Sequence, residues 1–272
     1  MEELCRRIQM PGDVTEILLQ LHRNPNFQPE LTPLTREETW ESGLADLRKT
    51  LGDDPHGFAM LCCMLRCALK VKGQYHKTGL SDKIYYDTMA CFSRFVREHW
   101  ESYGCWGFDR DFWTVRQISC KLFRIGQLEY ELVNRAGERC VSLHIPTDVD
   151  FQLPLLRESW LLAQEVLFRV FPEYRGAPFV CHSWLLSPDL TSLLPPESNI
   201  LAFQQSFSVY PIDKPCTGVI QWVFKNPKLL PEAYPENTSL QRRLKAFLQV
   251  GNLFHDAKGI LHQDPFLPYS TK

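Results

Sequence analysis

The sequence has no G-x-x-x-x-G-K-S/T, no G-x-G-x-x-G after a strand-like run, no H-E-x-x-H and no G-x-S-x-G. P-loop nucleotide chemistry, a Rossmann-bound dinucleotide, zincin proteolysis and α/β-hydrolase catalysis therefore lack the residues that carry them. A strong charge of either sign is also missing. With 30 Lys and Arg against 32 Asp and Glu the net charge is −2, which gives no electrostatic footprint for nucleic acid and no pull toward an anionic membrane. No apolar run approaches the ~20 residues of a membrane-spanning helix; the longest are broken by Arg66, Lys70 and Glu165. The first residues, Met1 to Arg7, carry charge where a secretory signal needs an apolar stretch. The expected compartment is the cytoplasm, where the ten cysteines stay reduced. Cys62, Cys63 and Cys67 lack the paired spacing of a zinc ribbon and read as small buried hydrophobes.

What is present is an ordinary globular balance, 44% apolar and 23% charged over 272 residues, enough for two domains. Up to about residue 116 the apolar residues recur at helical spacing. Val14, Ile17, Leu18 and Leu21 form one stripe. Trp40, Leu44, Leu47 and Leu51 form a second behind Thr35, and Phe58, Leu61, Cys62, Leu65 and Leu69 a third. Ser81 is the expected N-cap of a fourth, with Tyr85, Met89, Phe92, Val96 and Trp100 facing inward. Near Trp113 the period changes from 3.6 to 2. Residues 120–133 and 139–145 alternate around Asn134-Arg135-Ala136-Gly137 and predict a β-hairpin. A long helix is expected to follow Pro154, then strands at Phe179–Leu186, Leu201–Tyr210 and Gly218–Phe224. A helix from Asn237 should end at Gly251, with a short strand near Gly259 and a loose tail from Gln263. The expected class is α+β, helical over 1–116 and mixed-sheet over 117–272.

The most distinctive run is Phe179 to Leu186, in which alternation puts Cys181 and His182 on opposite faces, so they form no dyad. His182 reads either as a general base in a cleft or as a core histidine bonded to backbone or carboxylate. Glu129 and Glu131 share a strand face with Gln127, which faces solvent or a cleft. Gln204, Ser206, Ser208 and Tyr210 form another polar face, from which a phenol can serve as a proton donor or simply meet water. His144, Asp148 and Asp150 have ligand chemistry but match no metal template, so no metal is expected.

Three runs, His182 to Pro188, Leu193 to Ile200 and Phe203-Gln204, together with Leu155 to Trp160, resemble the GNAT-like C-terminal domain of a bacterial acyltransferase family. Trp106-Gly107-Phe108-Asp109-Arg110 in the helical part is similar to the N-acyltransferase N-terminal domain that precedes it. The resemblance spans nearly the whole chain. It implies transfer of an acyl group from a thioester such as acyl-CoA, as co-substrate, to an amine acceptor, by direct attack. It implies His182 as base, with Glu131 as its possible substitute, and Tyr210 as acid for the departing thiolate. It also places the donor's phosphates at the loop before the long helix, at Thr147, Val149 and Phe151. That loop departs from the family's glycine-rich Q/R-x-x-G-x-G/A, because Thr147 to Pro154 contains no glycine and two aspartates. A carrier-bound pantetheine, another thioester, or a non-catalytic protein binding a small molecule or peptide are the alternatives this opens.

Overall fold

Residues 1–125 form one compact unit and 126–272 a second. They are described here from a computed structural model covering residues 1–216, 218–226 and 228–267. The first unit is helical, with α1 (Glu2–Arg7), α2 (Gly12–Arg23), α3 (Trp40–Leu51), α4 (Phe58–Thr78), α5 (Asp82–Met89), α6 (Cys91–Tyr103) and α7 (Asp111–Ile118), and it ends on strand β1 (Leu122–Ile125). Helix α4 is its centre. Met60 through Ala68 are buried all round, as expected of a helix with neighbours on every side, and α2, α3 and α7 pack against it. Burial pushes the thiols of Cys62 up to about 11 and of Cys63 and Cys67 up to about 12. All ten cysteines are free. Ser81 caps α5 by accepting from the backbone N–H of Ile84. The expected fourth helix is two, however. The Thr88 hydroxyl donates back to the Ile84 carbonyl at 2.6 Å, a competition for backbone groups that bends helices, and the chain restarts at Cys91. Trp100 consequently lies 45% exposed, against Trp106, and not in the core.

The second unit contains β2 (Leu128–Arg135), β3 (Glu138–His144), α8 (Leu153–Val170), β4 (Phe179–Ser183), α9 (Leu190–Leu193), α10 (Asn199–Gln204), β5 (Phe207–Pro215), α11 (Gly218–Phe224), α12 (Ser239–Gln249) and β6 (His255–Leu261). The sheet of this unit runs in the order β2-β3-β4-β6-β5. It is antiparallel except where β3 and β4 run parallel, joined by the α8 crossover. One face, carrying Tyr130, Leu132, Val141, Leu143, Phe179, Cys181, Phe207 and Leu261, is buried. Helix α8 is joined to it through Ser159, whose hydroxyl lies 3.0 Å from that of Tyr130 and accepts from the Leu128 N–H. The opposite face stays open: His182, Lys258, Ser208 and Tyr210 are exposed.

Five expectations change. The first half of the hairpin is two strands, because Gly126 turns at φ +66° with Ser159 close beneath it, where a Cβ would sit 2.9 Å from the serine's own. The strand expected at Leu201–Tyr210 begins as α10, and Gly218–Phe224 is α11. In α11, Val219, Val223 and Phe224 share one helical face and join a side core with Leu190, Leu193, Tyr234, Leu244 and Phe254. Tertiary burial thus overrides the β-propensity of Val and Ile. The strand expected through Leu186 stops at Ser183, whose hydroxyl accepts from the Leu185 N–H and starts a single 3-10 turn. The segment after Gln263 is docked: Phe266 is buried beside Phe203 and Phe207, and Arg157 holds Asp264 at 2.6 Å. Pro268, also expected in a loose tail, lies outside the described residues.

Candidate functional site

The parallel ladder between β3 and β4 runs from Val141↔Phe179 to Leu143↔Cys181 and stops. Strand β4 continues through His182 and Ser183, so its last two residues lie beyond the end of that ladder. On the other side β4 pairs with β6, with His182 opposite Lys258. Lys258 in turn lies opposite Tyr210 on β5. Directly opposed residues point to the same face, which makes His182, Lys258 and Tyr210 a row across three adjacent strands of the open face. Neighbouring strands are about 4.8 Å apart, so each member of the row lies beside the next.

His182 is not a core histidine. Its side chain is 55% exposed, and its Nε2 lies 3.0 Å from Asp256 Oδ2. The other carboxylate oxygen, Oδ1, accepts from the Ala257 N–H at 3.0 Å. Asp256 is thus held by its own strand and presents one oxygen to the imidazole. Burial and the nearby Asp256 push the Cys216 thiol up, so Cys216 stands protonated beside the pair. Tyr210 is 54% exposed. Lys258 forms no ion pair among the described residues, because the nearest acid along its strand, Asp256, is already engaged.

Glu131 lies on the same face, on β2, and its Oε2 is 2.7 Å from His144 Nε2. Glu129, expected in solvent or a cleft, is buried at 2% exposure, opposite His144 in the ladder. Gln127 is part of the turn and not of the strand face; its side-chain oxygen accepts from the Asp150 N–H.

The loop before α8 spends backbone donors on itself. The Val149 N–H goes to the Pro146 carbonyl, that of Asp150 to Gln127, and that of Gln152 to Asp150 Oδ1. In the first turn of α8, Pro154 has no N–H, and Leu155 and Leu156 both donate to the Gln152 carbonyl. The Phe151 ring packs on Phe203 at 5.5 Å. Thr147 also has a partner within the protein. His144, Asp148 and Asp150 form no metal cluster: no group of three or more His, Cys, Asp or Glu that could hold an ion occurs among the described residues. No helix among them is long and apolar enough to cross a membrane.

The sequence points to His182, Glu131 and Tyr210 but not to Asp256 and Lys258, which the structure places beside His182 on the same sheet face. The strand expected near Gly259 is too short to include either of them. The alternation Asp256, Lys258, Ile260 against Ala257, Gly259, Leu261 was the available signal.

A helical unit followed by a mixed sheet with a crossover helix before an interrupted parallel ladder defines an acyltransferase-type α+β protein. Residues 122–261 match the GNAT-like C-terminal domain and residues 1–120 the N-acyltransferase N-terminal domain, and the chain belongs to this family. Among solved structures, an acyltransferase in complex with decanoyl-CoA and teicoplanin superposes with TM-score 0.80 at 22% identity, covering 95% of this chain and 86% of that one. An acyltransferase with CoA and 10C-teicoplanin gives 0.78 at 21% over the same shares. One with decanoyl-CoA gives 0.69 at 20%, covering 96% and 98%. At these identities the likeness establishes the fold. A search of curated proteins gives no match.

Proposed function

We propose that this chain is a cytoplasmic bacterial enzyme with functional divisions at 1–116 and 117–272, which moves an acyl group from a thioester such as acyl-CoA to an amine. The observation that carries the reading is the His182–Asp256 pair on the open sheet face, at the end of the strand that flanks the interrupted ladder. With Nε2 facing the carboxylate, the imidazole keeps its proton there and offers the Nδ1 lone pair. The amine nitrogen attacks the thioester carbon while one of its protons passes to Nδ1. The C–S bond then breaks and the thiolate takes the proton of Tyr210. Exchange through water returns both residues to their starting forms. Glu131, seated against His144, is the substitute base. The loop of Thr147, Val149 and Phe151 receives the donor. The structural relatives' ligands supply the first compounds to test, decanoyl-CoA as donor and teicoplanin beside simple amines as acceptor.

Thiol release from decanoyl-CoA that depends on the amine is the expected result. His182→Ala should lower its rate by about 10²–10⁴-fold, the usual worth of a general base, with little change in melting temperature because the ring is half exposed. Absence of amine-dependent release from the wild type would defeat the reading, and full activity in His182→Ala would remove the residue from it.

A second reading, a non-catalytic protein binding a small molecule or peptide, is favoured by one feature. The loop before α8 has no glycine and commits the N–H groups of Val149, Asp150 and Gln152 internally, where a pyrophosphate needs them. Titration with CoA separates the two: saturable binding supports the donor, and none supports a binder of something else.

A further inference from the structure

Lys258 occupies the middle of the row His182–Lys258–Tyr210, on a strand with neighbours on both sides. Its ammonium is exposed, and it has no counter-ion among the described residues. The acid next to it on its strand face, Asp256, has Oδ1 on the Ala257 N–H and Oδ2 against His182. The row is therefore a base, an uncommitted cation and a phenol, on three consecutive strands about 4.8 Å apart.

Resting on the acyl-transfer reading above, we propose that Lys258 is a catalytic residue whose ammonium stabilises the oxyanion of the tetrahedral intermediate. When the amine attacks, the carbonyl carbon gains the C–N bond and its π electrons move onto oxygen, which becomes negative. The same carbon then bears nitrogen, oxygen and sulfur. Nitrogen gives its proton to His182 and sulfur takes its proton from Tyr210, so the oxygen falls between them, beside Lys258. On collapse the electrons return to the carbonyl, the C–S bond breaks, and the ammonium is unchanged. A fixed cation aimed at developing charge acts on the transition state more than on the bound substrate, since the ground-state carbonyl carries only a partial charge. Its effect grows when bound substrates displace water from the face.

The test measures steady-state thiol release from decanoyl-CoA with an amine acceptor for wild type, Lys258→Met and Lys258→Arg. Lys258→Met keeps length and removes charge. It should lower kcat by roughly 10²–10³-fold, the usual cost of an oxyanion donor. KM for both substrates should stay within about twofold, and the melting temperature should not move. Lys258→Arg should recover at least about tenfold of the lost kcat. Lys258→Gln serves as a second neutral variant if the methionine promotes aggregation. A raised KM with unchanged kcat would overturn the proposal and make Lys258 a binder of an anionic substrate group. Unchanged kcat and KM would overturn it in favour of a solvated lysine. Both outcomes leave acyl transfer standing, whereas a wild type that releases no thiol overturns acyl transfer and this role together.

Discussion

Asp256 reaches His182 from the neighbouring strand, and its other oxygen is tied to the chain at Ala257. An aspartate fixed in this way orients the ring without adding much to stability, since half-exposed ion pairs contribute about 0–1 kcal/mol. Asp256→Asn should therefore leave the melting temperature nearly unchanged. It should still lower amine-dependent thiol release about tenfold or more, because the amide no longer selects the tautomer with the lone pair on Nδ1. The acidic limb of the pH–rate profile is the diagnostic: a positioning role shifts it, and a purely structural role leaves it in place. His182 itself was legible in the sequence because a histidine in an apolar run stands out. Its exposure was not, because that depended on where β4 ends. The reading through Leu186 put Trp184 on the same face as His182, whereas Ser183 captures the Leu185 N–H and turns the chain away. Asp256 was invisible for another reason. A pairing between strands far apart in sequence is set by sheet order, which local pattern does not encode.

At the scale of the element, periodicity located α2, α3, α4, α8, and α12 with Gly251 beyond its end at φ +86°, whereas α1 and α7 carry no stripe long enough to stand out. Errors fell where a local signal has two physical solutions. The run Gly218–Phe224 is rich in β-branched residues and reads as a strand, yet it folds as α11 because a side core of α9, α11 and α12 buries one helical face of it. Gly126 inside an alternating run is tolerated by a strand and ideal for a turn, and contact with Ser159 selects the turn. Asn237-Thr238-Ser239, which spells a glycosylation sequon, has a structural use. Thr238 accepts from the Gln241 N–H at 3.1 Å, and the Gln241 side chain accepts from the Thr238 N–H at 3.0 Å, a complete capping box. Gln241 also donates to the Val223 carbonyl, fastening α12 to α11. Thr238→Ala should cost about 0.5–2 kcal/mol, read as a lower urea midpoint with an unchanged slope. A loss below that range would mean that packing alone sets the start of α12.

At the scale of the whole molecule, stability depends on pH through a histidine of the first unit, His22. In the first unit, the buried Arg66 on α4 donates its Nε to the His22 ring at 3.3 Å and its remaining N–H groups to the carbonyls of Phe27, Leu21 and His22. The ring must be neutral to accept that bond. Partial burial, and next the charge of Arg66, lower the His22 pKa below its ordinary value of 6.5. The unfolded chain protonates this residue near the ordinary value, so between the folded and unfolded pKa the unfolded state binds more protons. Stability must then rise with pH across that window. The contribution is fully present above about pH 6.5 and is lost as the pH falls through the lowered folded value, where a charged imidazole would face a guanidinium. Chemical denaturation at several pH values between 7.5 and 5 should show this as a falling unfolding free energy. The comparison that isolates the effect is His22→Gln, which keeps an acceptor for Arg66 but does not titrate. Its stability should change less over the same interval than that of the wild type. Parallel curves for the two proteins would assign the acid sensitivity to other groups and leave Arg66 indifferent to the charge beside it.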